Sequence, residues 1–360
     1  MKGADRQPPR PKWAASCTEP AAPAGRRPLW LAAALSVAAV LHPQPTFGNQ
    51  PTRFEEAVSL KDAGACEQAA PLFASIGEDP EVGAKRRNSA RYNQAVCLEL
   101  LGLFDQATAV YAAILDPNSD RSLRRDALFR IGMIESLRDD STGAQLRFRS
   151  LLTGAEDRNE RARLHIQLGS LHLEAGHRRR AARHLRRAQR QLDAASSPAE
   201  PWFAAQRQVA LGDLFVEAAS RLRVDTGRPR RIVRQLAKRG KLLERAQQHY
   251  AAAIREHQPT WMQAATLHLG RALLSMSIEM DSGAQRLSVT LPLRRSSDFR
   301  HLASWLGKES PSMARKAHES FQLCVDVTTE TGTTTRFGPQ CREQLDGFPM
   351  DLLVGPDAAP

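Results

Sequence analysis

The chain has 360 residues, of which 42% are hydrophobic and 25% charged, so it can bury a sizeable core and is not globally disordered. Aromatic residues make up only 6%, as expected for helices packed through Ala, Leu and Gly. The net charge of +12 is local, because residues 1–48 carry +4 and residues 221–245 carry +8, which leaves the rest balanced.

Residues 1–48 have the pattern of an export signal. A basic pair, Arg26-Arg27, precedes the uncharged run Leu29–Leu41, and Thr46-Phe47-Gly48 places small residues before a cleavage site. As a helix this run spans about 20 Å, short of a hydrocarbon core of about 30 Å. We therefore expect a cleaved signal peptide and a periplasmic protein, with a membrane anchor if cleavage does not occur. The alternative is a disordered leader with a chance apolar patch.

From about residue 50, a sequence motif with two halves recurs six times. The first half is a small residue: Ala57, Ala95, Gly132, Gly169, Gly212 and Gly270. The second half is Ala-x-x-x-aromatic or Ala-x-x-x-Leu: Ala69–Phe73, Ala107–Tyr111, Ala144–Phe148, Ala181–Leu185, Ala246–Tyr250 and Ala317–Phe321. In the first four repeats the halves lie 12 residues apart, and these repeats follow each other at intervals of 38, 37 and 37. Such a period predicts helix–turn–helix units that must stack to bury their apolar faces.

The two halves of the motif mark the point at which two helices cross. The small residue on the first helix and the Ala on the second let the two backbones approach closely. The aromatic residue four positions later lies one turn along the same face. Gly64, Gly102 and Gly176 fall at the turns between helices, where a left-handed backbone is often required.

These repeats resemble the tetratricopeptide-repeat (TPR) family over most of residues 50–325. The resemblance is clearest from Tyr92 to Tyr111, and in the fourth repeat it rests on Leu168-Gly169, Gly176 and Ala181. It implies an all-α solenoid of antiparallel helix pairs wound as a right-handed superhelix. The predicted solenoid covers residues 49–325, with repeats at about 50–80, 88–117, 125–155, 162–193, 202–256 and 260–325.

The last two repeats depart from this pattern, because their halves lie 34 and 47 residues apart. The first insertion, 222–244, predicts a lengthened second helix after a turn at Asp225–Pro229. The second, 281–311, contains Leu287-Ser-Val-Thr-Leu-Pro-Leu293 and predicts a loop or a short hairpin. Residues 326–346 predict a linker and a C-terminal cap helix, and residues 347–360 a flexible tail.

An apolar residue precedes each small residue by three positions. In the TPR family this position faces the concave groove, so the resemblance implies a groove for a partner protein or peptide. The alternative is ordinary packing between neighbouring first helices. The Lys/Asn/Arg set with which some relatives hold a C-terminal carboxylate is missing. The candidate groove residues are Phe54, Tyr92, Phe129, Ile166, Val209 and Leu267.

Two basic segments, residues 178–190 and 221–245, form a candidate patch for anionic lipid or cell-wall polymer. The alternative is a solvated Arg-rich face with no ligand. Neither segment carries the aromatic residues on which single-stranded nucleic acid stacks, so nucleic acid is not favoured as a partner. The patch consists of Arg179, Arg183, Arg230, Arg231, Arg234, Lys238, Arg239 and Lys241.

Four cysteines follow the predicted signal segment, and an exported chain would carry them into an oxidising compartment. One candidate bridge joins Cys66 to Cys97, for which two buried free thiols are an equal alternative. The second candidate joins Cys324 to Cys341, at the other end of the solenoid. Each bridge would contribute about 3 kcal/mol by restricting the unfolded chain.

The sequence contains no motif of known catalytic mechanism: no Gly-rich phosphate loop, no Gly-x-Ser-x-Gly, no His-Glu-x-x-His and no Cys-x-x-Cys. His165, His172, His177 and His184 cluster in the fourth repeat, but without carboxylate or thiolate they predict packing or surface histidines rather than a metal site. We therefore expect a non-catalytic, exported interaction scaffold of an envelope-associated assembly, with no cofactor, metal or small-molecule substrate.

Overall fold

The computed structural model describes residues 52–198, 200–222, 229–290, 297–332 and 335–354, so the predicted signal segment lies outside the described residues. All regular elements in these ranges are helices, which confirms the predicted all-α class. The chain divides into two compact units, one ending at Gly154 and the other beginning at Ala155.

The N-terminal unit consists of three helix pairs, each closed by a short turn. Thr52 starts the first helix with a capping box, in which its side chain accepts from the backbone N–H of Glu55 and the Glu55 side chain accepts in return. Asp120 caps a later helix through the N–H groups of Ser122 and Leu123. The helices are α1 (Arg53–Asp62), α2 (Cys66–Glu78), α3 (Ala84–Leu100), α4 (Phe104–Ala113), α5 (Arg121–Leu137) and α6 (Ser141–Thr153).

The C-terminal unit contains three further pairs, of which the last two are much longer. Its helices are α7 (Arg158–Glu174), α8 (Arg178–Asp193), α9 (Pro201–Ser220), α10 (Pro229–Ile254), α11 (Pro259–Thr290), α12 (Ser297–Thr331) and α13 (Gly338–Asp346), followed by a 3-10 helix at Met350–Leu353. Most of the first insertion therefore belongs to α10, the second helix that the sequence predicts to be lengthened.

The prediction of a loop or hairpin in the second insertion was wrong for its described residues. They are helical as far as Thr290 and again from Ser297. The segment Leu287–Leu293 suggested a break, yet α11 is helical as far as Thr290, and α12 continues through Pro311. Tertiary packing explains the difference. The extended parts of α10, α11 and α12 form a core of their own, with Ile232, Leu236, Met276, Met280, Leu302 and Leu306 among its buried residues.

The predicted close crossing recurs in the repeats with and without insertions. A Cβ atom at Gly132 would lie 2.8 Å from the Phe148 ring, and one at Gly169 would lie 2.9 Å from the Leu185 side chain. At Gly212 the distance to the Tyr250 ring is 2.4 Å, and at Gly270 the distance to the Phe321 ring is 2.5 Å. The small residue thus provides the space that the second-helix side chain occupies.

Polar side chains link consecutive first helices within each unit. In the N-terminal unit, Lys61 donates to Asn93 at 2.9 Å, and Arg130 pairs with Glu99 at 3.3 Å. In the C-terminal unit, the buried amides of Gln167 and Gln206 exchange two hydrogen bonds of 2.8 and 3.0 Å. Because a buried amide without a partner is costly, these pairs fix how neighbouring first helices align.

The prediction of a flexible tail from residue 347 was wrong for its first residues, which pack against the last repeat. Phe348 is buried, and its ring lies 5.1 Å from the His318 ring and 6.2 Å from the Phe321 ring. Burial of this side chain holds the chain against α12 as far as the 3-10 helix. None of the helices in the described ranges has the length and apolarity needed to span a bilayer.

Candidate functional site

The six predicted groove residues lie mainly inside the repeats. Phe129, Ile166, Val209 and Leu267 are buried, whereas Phe54 is half-buried. Tyr92 is also half-buried, and its ring packs on Tyr111 with the centroids 5.6 Å apart.

The aromatic members of this set pack on the second helix of their own repeat. Phe54 lies 5.8 Å from Phe73, and Phe129 lies 5.5 Å from Phe148, between ring centroids. The structure therefore favours the packing interpretation over the groove interpretation, because the small residue leaves room for the two rings to meet.

The candidate site is an open cavity of about 330 Å³ in the C-terminal unit. It is lined by α7, α9 and α11, the first helices of three consecutive repeats, and by the inserted part of α10. This volume is at the lower end of the range of about 300 to 1,000 Å³ found for ligand sites. The side chains that line it include Leu173, Asp213, Val216, Arg239, Leu243 and His268.

A carboxylate, a phenol and an imidazole converge in the wall of this cavity. The Tyr250 hydroxyl donates to Oδ1 of Asp213 at 2.7 Å, and Nδ1 of His268 lies 2.7 Å from the same oxygen. Burial, followed by the negative charge of Asp213, raises the pKa of Tyr250 well above its ordinary value. Tyr250 therefore stays a hydrogen-bond donor that orients Asp213.

Arg239 is the second polar group of the cavity. The sequence placed it in the basic patch on the surface, and the structure shows that this prediction was wrong for Arg239. Its side chain is only 2% exposed, and Nη1 pairs with Oε2 of Glu279 on α11. Its Nε is buried and has no hydrogen-bond partner among the described residues. A buried donor requires an acceptor, which can be an ordered water molecule or a ligand.

The other members of the basic patch are exposed. Arg179 and Arg183 lie on α8, whereas Arg230, Arg231, Arg234, Lys238 and Lys241 lie on α10. The α10 residues recur at helical spacing, so they form one stripe along that helix, while the apolar Ile232 and Leu236 face the core. The proposed patch is therefore accessible except at Arg239.

The two cysteine pairs differ. Cys324 and Cys341 form a disulfide between α12 and α13, with Cα atoms 5.8 Å apart. Cys66 and Cys97 are buried free thiols, so the bridge suggested for them is absent here. Burial, then the neighbouring Cys66 thiol, raises the pKa of Cys97 to about 12. Cys97 is consequently a weak nucleophile at neutral pH.

The histidine cluster of the fourth repeat is a packed group. Nδ1 of His165 lies 3.1 Å from Nδ1 of His184. Burial, then the charges of Arg187 and Arg190, lowers the pKa of His165 to about 4. Within the described ranges, no group of three or more His, Cys, Asp or Glu side chains is arranged to hold a metal ion.

Sequence reasoning missed Asp213, Tyr250 and His268 as members of one site. A partial signal was available, because Tyr111 and Tyr250 carry hydroxyls where the other repeats have Phe or Leu. A buried tyrosine hydroxyl requires a partner. Tyr111 finds Glu99 at 3.1 Å in the same way. The position of the partner could not be read from the sequence, since it depends on how α9 meets α10.

Comparison with protein-family profiles finds no match, and comparison with curated proteins finds none either. Among solved structures, the chain is similar to the C-terminal part of a TPR repeat-containing protein from Cytophaga hutchinsonii. The identity is 11%, with 84% of this chain and 99% of that chain covered and a TM-score of 0.41. It is also similar to a TPR repeats protein from Bacteroides fragilis, with 12% identity, 60% and 96% coverage and a TM-score of 0.27. The small-residue crossing that recurs in its own helix pairs makes the described chain an all-α helical repeat.

Proposed function

We propose that this chain is a non-catalytic interaction scaffold that holds a partner protein or peptide segment on the first-helix side of its C-terminal unit. The observation that supports this proposal is the open cavity between α7, α9, α10 and α11. Three successive repeats and an inserted helix segment contribute to it, so a bound segment would contact several repeats at once.

Site-specific photocrosslinking in the native host tests this proposal. A benzoylphenylalanine placed at Ser275, an exposed residue of the cavity wall, should crosslink to a protein partner. The matched control carries the same group at Gln248, an exposed residue of α10 that does not line the cavity. No crosslink at Ser275, or the same products at both positions, would contradict the proposal.

The scaffold is proposed to act in the periplasm, within an envelope-associated assembly. The support is the sequence pattern of residues 1–48 together with the Cys324–Cys341 pair, because disulfides persist in oxidising compartments. N-terminal sequencing of the protein from cell fractions tests this point. A chain that begins near residue 49 in the periplasmic fraction is expected, whereas intact Met1 in the cytosol would contradict export.

A second candidate function is electrostatic binding of anionic lipid or cell-wall polymer. The exposed basic stripe of α10 favours it, since no acidic residue occurs between Arg230 and Leu243. Binding to phosphatidylglycerol vesicles should weaken steeply with added salt and be lost when Arg230, Arg231 and Arg234 are all changed to Glu. Equal binding to neutral phosphatidylcholine vesicles, or binding that salt does not affect, would contradict this function.

A further inference from the structure

Arg239 lines the cavity of the C-terminal unit, and its guanidinium has a buried donor without an acceptor among the described residues. Arg239 uses Nη1 for Glu279, while its buried Nε makes no hydrogen bond within the part of the chain that the structure describes. A guanidinium has five donors in a planar fork, and its Nε–Nη2 edge matches the two oxygens of a carboxylate. The structure thus leaves the Nε side of this fork without its natural partner.

The anionic side chains around Arg239 are already engaged. Asp213 accepts from Tyr250 and lies beside His268. Glu217 accepts two bonds from Arg221, at 2.9 and 2.7 Å, and Glu279 pairs with Arg239. These carboxylates cannot turn to the Nε of Arg239 without losing the partners that they have.

Arg271 adds a second cation with spare capacity. It lies on α11 in the lining of the cavity, is exposed, and donates to the neutral side-chain oxygen of Gln340 at 3.2 Å. No carboxylate pairs with it in the described residues. Two guanidiniums of one cavity therefore have donors to offer, while each nearby carboxylate has a cationic or hydroxyl partner.

The rest of the wall sets the shape of the ligand. Leu173, Val216, Leu243 and Ala272 give the cavity apolar surface beside the guanidiniums. Its volume of about 330 Å³ suits one side chain or a small organic acid rather than a folded element. An apolar stem would replace water along these side chains and bring its carboxylate to the guanidinium of Arg239.

We infer that this cavity binds a carboxylate carried on a short apolar stem, with Arg239 as the main ligand and Arg271 as the second. The carboxylate comes either from an acidic side chain of a bound segment or from a free small acid, which share this chemistry. The first source rests on the scaffold function proposed above, whereas the second does not depend on it. The inserted part of α10 thereby acquires a role, since it supplies Arg239 and Leu243.

Calorimetric titration of the full purified chain tests this inference with two pairs of probes. Glutarate is compared with glutaramide, its uncharged isostere. The blocked peptide acetyl-Leu-Glu-Leu-amide is compared with acetyl-Leu-Gln-Leu-amide, so that no terminal carboxylate is present. We expect at least one acidic probe to bind at about millimolar concentration or below and to exceed its amide by about tenfold.

Two variants locate the site. Arg239→Lys keeps the charge beside Glu279 but removes the fork, and we expect it to weaken the acidic probe by about tenfold or more. Arg271→Gln changes an exposed residue and should weaken it by a smaller factor without altering the fold. Arg234→Gln, on the outer stripe of the same helix, is the matched control and should leave binding unchanged. Circular dichroism verifies that each variant is folded.

The outcomes separate this inference from the scaffold function. Binding of glutarate alone supports the site with a free acid as its ligand, and binding of the Glu peptide supports it with an acidic segment. If neither acidic probe binds, or each binds no better than its amide, the inference is overturned. It is also overturned if folded Arg239→Lys and Arg271→Gln both bind like Arg234→Gln. A crosslinked partner at Ser275 would in that case leave the scaffold function standing without this site.

Discussion

The first four repeats and the last two build the same helix crossing with different lengths of chain. In the fourth repeat, Gly169 and Leu185 are separated by 16 positions, whereas Gly212 and Tyr250 in the fifth are separated by 38. Both pairs nevertheless meet where the missing Cβ leaves room. The short repeats end their first helix at a left-handed turn residue, such as Gly102 or Gly176, with φ of +75° and +71°.

The extra residues of the long repeats extend the helices beyond the crossing instead of disturbing it. In α10 to α12 these extensions bury a core that includes Met276 and Leu306, and α10 adds Arg239 and Leu243 to the cavity wall. The helix crossing is therefore the feature that all the repeats share. The insertions leave it unchanged and add a cavity wall with a guanidinium and apolar side chains. Four predictions test how far this separation holds.

The largest effect concerns the covalent link that the last repeat has and the first lacks. Changing Cys324 and Cys341 together to Ala should lower the free energy of unfolding by about 3 kcal/mol, because a bridge across 17 residues restricts the unfolded chain. Urea unfolding with and without reductant measures this. Reductant should weaken the wild type and leave the double variant unchanged; a wild type insensitive to reductant would show that the pair is not bonded.

The next effect tests the crossing of an inserted repeat. Gly212→Ala places a Cβ 2.4 Å from a Tyr250 ring that is held by Asp213, so it should cost about 2 kcal/mol through overpacking. Gly283→Ala is the matched control in a helix of the same unit, because its Cβ would meet only a Leu306 methyl group at 3.4 Å. It should gain up to about 1 kcal/mol from helix propensity. Equal urea midpoints for the two variants would argue against a tight crossing.

The third effect belongs to a regular repeat and appears only in acid. Because burial lowers the pKa of His165 to about 4, protonation below the unfolded value of about 6.5 favours the unfolded chain. This contribution is complete above about pH 6.5 and is lost as the pH falls towards 4. Between about pH 7 and pH 5, the wild type should lose about 2 kcal/mol more than His165→Gln, measured by urea unfolding. Parallel pH profiles for the two proteins would refute the buried neutral imidazole.

The smallest effect tests the turn that keeps a regular repeat short. Gly102 has φ of +75° and no atom within 4 Å of an added Cβ, so any cost of Gly102→Ala is backbone strain. We expect a loss of about 1 kcal/mol, and a smaller loss for Gly102→Asn, since Asn tolerates the left-handed region. The order Ala below Asn below Gly in thermal stability is the expected result, and the reverse order would exclude strain as the cause.

The helix pairs could be predicted from sequence because their signal is local. Gly132 and Ala144 lie 12 residues apart, a distance that one helix, one turn and part of a second helix fill in the same way each time. The second insertion was wrongly predicted to be a loop or hairpin. The prediction rested on a few β-branched residues near Leu287, and such a local preference is weaker than the burial of a long apolar helix face. The tail was mispredicted for a similar reason, since a few apolar side chains, Phe348, Leu352 and Leu353, pack its described part against the core.

By itself, the sequence determined the all-α class, the positions of the helix crossings and the confinement of the basic residues. Only the tertiary structure decided which residues are accessible: it buried Phe129 and Arg239, left Arg234 exposed, and brought Asp213 to Tyr250 and His268. The physical reason is the range of the interactions. Helix periodicity is written within a few residues, whereas a cavity wall joins side chains 37 to 55 positions apart whose meeting depends on how long neighbouring helices run.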